Sequence, residues 1–159
     1  MNHAYLLLGS NMGDSLHQLQ TSIKHIETHI GKVTRRSALY LTAAWGNRKQ
    51  PDFLNQVIVI GTMLSATETL QNLLSIEKMM GRVRTLKNAP RLIDIDILFF
   101  NKQIIKEKEL IVPHPEIENR RFVLIPLNEL SPNMQHPVHK KTMHRLLSEC
   151  KDELNVKKF

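Results

Sequence analysis

Apolar residues along the chain recur with a period that switches between two and nearly four, and the switches mark its elements. An unbroken apolar run, Ala4 to Leu8, ends at Gly9-Ser10-Asn11 and predicts a strand over residues 3–8. Leu16, Leu19, Ile23, Ile26 and Ile30 then follow at spacings of 3, 4, 3 and 4, which is one face of a helix. Asp14 or Ser15 is placed to accept from the free N–H groups of its first turn, and Gly31 to supply a left-handed stop. Residues 33–41 and 53–64 read as strands on either side of a polar stretch, 42–52, that is long for a hairpin connection. A second helix is expected over residues 66–80, ending at Gly81, with Leu70, Leu73, Leu74 and Met80 on its stripe. A strand over residues 92–100, a turn at Asn101-Lys102, a short strand over 103–105 and helices over 121–129 and 143–150 complete the pattern. The order β, α, β, β, α, β predicts an α+β fold, an antiparallel sheet with helices on one face. No repeat or linker divides it, so residues 1–159 are expected to form one domain.

Composition narrows the class. With 159 residues, 42% of them apolar and 23% charged, the chain can build its own core and is not disordered in character. A single cysteine, Cys150, forms no internal disulfide and is read as a core residue, and the opening apolar run is too short for a signal peptide or a membrane span. A soluble, cytoplasmic, monomeric protein is expected. The net charge of +7 suits a nucleic acid, a membrane surface or a polyanionic small molecule equally well.

Three features of the sequence bear on chemistry. Alternation along residues 92–100 puts Ile93, Ile95, Ile97 and Phe99 on one face, and Asp94 and Asp96 on the other with Leu92, Leu98 and Phe100. Two such carboxylates sit about 6.6 Å apart along the strand and repel unless a cation lies between them. A pair of hard cations about 3.5–4 Å apart fits that gap, and magnesium would complete its octahedron with water and phosphate oxygens. Next to the acids lies a basic stretch with Arg82, Arg84, Lys87 and Arg91, whose guanidinium forks match phosphate oxygens. Glu77 stands where the second helix asks for an apolar residue, either as a buried carboxylate met by a donor or as a side chain turned into a site. His114, held between Pro113 and Pro115 and followed by Arg120, is a weaker candidate. His25 and His29 lie off the apolar stripe with no third ligand near in sequence and read as solvated. The sequence holds no Walker-type phosphate loop and no GxGxxG.

These residues fall into motifs whose order and spacing are specific: Leu8-Gly9-Ser10-Asn11, Gln50-Pro51-Asp52-Phe53-Leu54-Asn55, Gly81-Arg82-Val83-Arg84, Pro90-Arg91-Leu92-Ile93-Asp94-Ile95-Asp96, Val112-Pro113-His114-Pro115 and Asn119-Arg120-Arg121-Phe122. On them, the chain resembles the 6-hydroxymethyl-7,8-dihydropterin pyrophosphokinases of folate synthesis over essentially its whole length. The resemblance implies a ferredoxin-like core in three α/β/α layers, and transfer of pyrophosphate from ATP to the pterin hydroxymethyl group with release of AMP. It implies two magnesium ions on Asp94 and Asp96, with Arg82 and Arg91 assisting the phosphates. Glu77, Arg84, Lys87, Ile97, His114 and Arg120 would face the nucleotide. The pterin would lie between Phe53 and Phe122, read by Asn55, Asp94 and the backbone of Thr42, Ala43 and Ala44. Departures from the family pattern fall in the basic stretch, where Thr-Leu-Lys-Asn-Ala-Pro is one residue shorter and Lys87 replaces an arginine as a point charge. The family's tryptophan beside that arginine is absent from the stretch, Trp45 is a candidate lid in place of that tryptophan, and the loops 43–52 and 82–91 are expected to close over substrates. The rival reading, a non-catalytic RNA-binding module, needs exposed aromatics on central strands, whereas aromatics are 5% of the chain and the strand carries two acids.

Overall fold

The two longest apolar runs of the sequence pair with each other. In the computed structural model, which describes residues 1–44, 49–82 and 90–159, strand β1 (Asn2–Ser10) lies antiparallel to β4 (Phe53–Thr62) along its whole length, from Asn2 opposite Thr62 to Ser10 opposite Leu54. Between them in sequence come α1 (Ser15–His29), β2 (Gly31–Arg36) and β3 (Tyr40–Thr42). After β4 follow α2 (Ala66–Met79), β5 (Asp94–Phe100), the hairpin β6 (Ile105–Lys106) and β7 (Ile111–Val112), and a 3-10 turn (Ile117–Asn119). The described chain ends with α3 (Arg121–Leu130), α4 (Met143–Glu149) and β8 (Val156–Lys158). The main sheet has six strands in the order β5-β1-β4-β3-β8, with β2 also on β4.

Local chemistry explains the boundaries. Asp14 caps α1 by accepting from the His17 amide at 3.1 Å, and Ser65 and Glu68 form a reciprocal capping box on α2. Gly81 takes the left-handed conformation, φ 93°, that ends α2. Gly31 does not take the left-handed form expected of it. It opens β2, and a Cβ there would lie 2.0 Å from the carbonyl oxygen of Gly61, so its hydrogen permits the close approach of two strands. The single strand expected over residues 33–41 is two pieces, β2 and β3, both on the same edge of β4. Ser37 bridges the break: its amide donates to the Val57 carbonyl at 2.9 Å and its Oγ accepts from the Val57 amide at 3.0 Å.

The sheet is covered on both faces, so the layers are α/β/α rather than helices on one side. Ala4, Leu6, Leu8, Ile58, Ile60, Ile95 and Ile97 pack under α1 and α2, and Leu7, Val57, Val59, Leu98 and Phe99 under α3 and α4. On α2 the buried stripe is Ala66, Thr69, Leu73, Ile76 and Glu77, while Leu74 is 40% exposed instead of lying on the stripe. A bulge shifts the pairing of β1 with β5 between Tyr5 and Leu6, because Tyr5 faces Phe99 and Leu6 faces Ile97. The extra residue reverses the alternation beyond it. Phe99 therefore joins the face of the acids and Phe100 the face of the isoleucines, the opposite of simple alternation. Cys150 is half-buried against the α3/α4 core. No helix among the described residues is long and apolar enough to cross a membrane.

Candidate active site

At one end of the sheet, where β1 reaches Gly9 and β4 and β5 begin, a cavity of about 260 Å³ opens on the α3 side. Cross-strand pairing builds its floor, since Gly9 sits between Asn55 on β4 and Asp94 on β5, and Leu7 lies opposite Asp96. Directly opposed residues share a face. Phe53 and Asn55 from β4, Thr42 and Ala43 from the end of β3, Arg82, Arg91, His114, Arg120 and Phe122 complete the wall.

Asp94 is held by two arginines: Arg82 Nη1 donates to Oδ1 at 2.6 Å and Arg91 Nη1 to Oδ2 at 3.0 Å. The same Arg82 nitrogen donates to Oε2 of Glu77 at 3.0 Å, and that oxygen also accepts from the Ile95 amide at 2.7 Å. Burial works against the charge of Arg82, but Asp94 and Glu77 outweigh it and hold its pKa above the ordinary value. Asp96 differs from its neighbour, because no described residue donates a hydrogen bond to it. Burial, then the negative charges of Asp94 and Glu77, push its carboxyl up to about 7 against the pull of Arg120 and Arg91. Two oxygen donors on one strand face, with one carboxylate short of positive charge, are a donor set that fits a hard divalent cation.

His114 is tied to β5 by its amide, which donates to the Leu98 carbonyl at 3.0 Å. Its Nδ1 accepts from the Glu116 amide at 3.1 Å, so in the neutral ring the proton sits on Nε2. Burial and the adjacent Arg120 lower its pKa and keep it neutral. Arg120 also lies over Phe122, with its guanidinium carbon 5.9 Å from the ring centroid. Asn55 is 3% exposed and, among the described residues, its Nδ2 meets no acceptor, so the amide is available to a ligand edge.

Most of the candidate residues thus converge on one cavity, with several differences. Glu77 does not line it. The α2 carboxylate is 3% exposed and stands behind Arg82, met by donors on both sides. Ile97 packs into the α1/α2 core, away from the acids, because it faces Leu6 rather than Leu7. Ala44 is buried and outside the wall that Thr42 and Ala43 form. Arg84, Lys87 and Trp45 lie outside the described residues.

One residue stands out that reading by residue type did not assign. Asn11, 4% exposed, donates from Nδ2 to Gln50 Oε1 at 2.7 Å and to the Pro51 carbonyl at 3.0 Å, while Oδ1 accepts from the Arg91 amide at 2.8 Å. It links the end of the basic stretch, at Arg91, to the end of the polar loop before Phe53. A lone Asn after Gly-Ser reads only as a turn residue, so no sequence signal beyond its motif could mark it.

Glu118, His136 and His139 form a second group of ligand-type side chains, on the 3-10 turn and the loop before α4. His139 Nε2 and Glu118 Oε2 are 2.9 Å apart. Nδ1 of His136 accepts from both the Val138 and His139 amides at 3.1 Å, which places the proton on Nε2. A metal on that nitrogen would need the proton moved against two amide donors, so this cluster is structural.

Paired acids, arginines beside them and an aromatic slot in the same cavity define the site of a phosphoryl-group transferase on an α+β scaffold. Residues 5–132 match the family model described as 7,8-dihydro-6-hydroxymethylpterin-pyrophosphokinase, and the chain belongs to that family, diphosphotransferases of folate biosynthesis. It is 39% identical to the 2-amino-4-hydroxy-6-hydroxymethyldihydropteridine pyrophosphokinase of Aquifex aeolicus over 159 residues, 100% of this chain and 96% of that one. The pyrophosphokinase of Methylorubrum extorquens is 41% identical over 135 residues, covering 84% and 85% of the two chains. Among solved structures, the wild-type HPPK-DHPS of Plasmodium falciparum superposes with a TM-score of 0.78 at 20% identity, a likeness of fold. The chain spans 94% of its own length but only 43% of that longer protein.

Proposed function

We propose that this cavity transfers the terminal pyrophosphoryl group of ATP to the hydroxymethyl oxygen of 6-hydroxymethyl-7,8-dihydropterin, releasing AMP and the pterin diphosphate. The observation that carries the reading is the division of one cavity into a charged end, Asp94, Asp96, Arg82 and Arg91, and an aromatic, amide-bearing end, Phe53, Phe122 and Asn55. A polyphosphate suits the first and a flat heterocycle the second. The pterin ring stacks between Phe53 and Phe122, contacts worth about 0.5–1.5 kcal/mol each beyond area burial. The orphaned Nδ2 of Asn55 and the Thr42–Ala43 backbone meet its polar edge, which rejects rings lacking that edge.

At the other end Arg82 and Arg91 lie on either side of Asp94, where they orient the β- and γ-phosphates and balance charge in the transition state. Glu77 positions Arg82 rather than touching the nucleotide. His114 donates from Nε2, Arg120 and, beyond the described residues, Arg84 and Lys87 add positive charge toward the nucleotide. Asp94 and Asp96 would hold two magnesium ions, which would supply positive charge to the phosphate oxygens and to the leaving oxygen. The pterin oxygen bonds to the β-phosphorus as the bridge to the α-phosphorus breaks. AMP takes the bridging oxygen, and the hydroxyl proton is released. The requirement for ATP suits a cytoplasmic enzyme.

Asp94→Ala and Asp96→Ala should each lose nearly all turnover while far-ultraviolet circular dichroism stays unchanged. Near wild-type turnover in either folded variant would remove the metal-binding role from that residue.

A further inference from the structure

Residues beyond the matched span include a C-terminal segment that touches both walls of the pterin end of the cavity. Strand β8 pairs antiparallel with β3, Val156 opposite Thr42, Lys157 opposite Leu41 and Lys158 opposite Tyr40. Thr42 Oγ1 donates to the Asn155 carbonyl at 3.2 Å, and the Phe159 amide to the Leu39 carbonyl at 2.8 Å. A few residues earlier, Asp152 Oδ2 accepts from the amide of Arg121, the first residue of α3, at 3.0 Å, and its Oδ1 accepts from Leu154 at 3.0 Å. A carboxylate at that position satisfies a free helix-terminal N–H and complements the dipole. Phe122 is the second residue of α3, Thr42 ends β3 and Ala43 follows it, so one eight-residue stretch anchors one stacking wall of the ring and the backbone that meets its edge.

No residue of 151–159 is buried, so the segment adds little to the core. Its contribution is local. β3 is three residues long, with β4 on one edge, and without β8 its other edge would be unpaired. We propose that residues 152–159 are a positioning strap for the pterin subsite, holding Thr42–Ala43 at a fixed spacing from Phe122. The proposal rests on the pterin reading of this cavity.

The test uses two full-length variants, Asp152→Ala, which releases the α3 end, and Lys157→Pro, which removes the amide that the register turns toward Leu41. Steady-state kinetics with ATP, magnesium and 6-hydroxymethyl-7,8-dihydropterin are combined with amide hydrogen exchange resolved at Leu41. KM for the pterin should rise about tenfold in each variant while KM for ATP and kcat stay within about twofold. Exchange at Leu41 should quicken in Lys157→Pro, with core amides of β1 and β4 still protected. Equal losses for both substrates, or unchanged pterin KM in folded variants, would overturn the strap. Should the wild-type protein itself not turn over the pterin, the substrate reading fails, and unchanged Leu41 exchange in Lys157→Pro would separately overturn the strap.

Discussion

Gly9 faces Asn55 across two strands, and a Cβ at Gly9 would lie 2.7 Å from Asn55 Oδ1. The glycine is there for space, which is why a reading of turn propensity assigns it to a loop and misses its part in the site. The acids were legible for the opposite reason: Asp is disfavoured in strands, so two of them at a spacing of two stand out on their own. Glu77 stood out too, but only coordinates show that Arg82 and the Ile95 amide, distant in sequence, meet its carboxylate. His136 shows the same dependence on unseen partners and carries a pH effect. Burial, then the nearby His139, push its pKa from 6.5 down to about 4, against the opposing pull of Glu118. The folded protein refuses a proton that the unfolded chain takes up, so stability present above 6.5 is lost as pH falls toward 4. The loss is at most about 3 kcal/mol. His136→Asn keeps an acceptor for the Val138 and His139 amides but does not titrate. Urea unfolding between pH 7 and pH 4 should therefore decline less steeply for the variant, and an identical decline would assign the effect elsewhere.

At the scale of elements, periodic apolar runs predict β1, α1, β4, α2, α3 and α4 close to where they form, because each buries one continuous face. Elements made by distant pairing are not predicted. β8 has two lysines in three residues and no apolar alternation, and exists because β3 offers it an edge. The bulge in β5 likewise leaves no mark in composition, yet it decides which phenylalanine joins the core of the acid face. β2 hugs β4 through Gly31, whose Cβ would meet backbone at 2.0 Å, and backbone cannot swing aside as a side chain can. Gly31→Ala should therefore cost about 2–4 kcal/mol in urea unfolding. A loss within the error of the measurement would show that β2 can separate from β4 freely.

For the whole molecule, the charge of +7 first left nucleic acid, membrane and polyanionic ligand open. Arg82, Arg91 and Arg120 gather at one cavity beside two carboxylates, an arrangement that suits a metal-bound polyphosphate and would repel bare nucleic acid. The three layers place that cavity where the ends of β1, β3, β4 and β5 meet, so residues from seven sequence segments reach one cavity. The motifs in the sequence foretold which segments these would be, while the way Asn11 joins two of them appears only in the folded chain. The most direct test of the proposed reaction is to incubate the pure protein with magnesium, ATP and 6-hydroxymethyl-7,8-dihydropterin, and to resolve the nucleotides by ion-exchange chromatography. AMP formed in equal amount with the pterin diphosphate is the predicted result. Accumulation of ADP with a pterin monophosphate, or no pterin-dependent consumption of ATP, would contradict it.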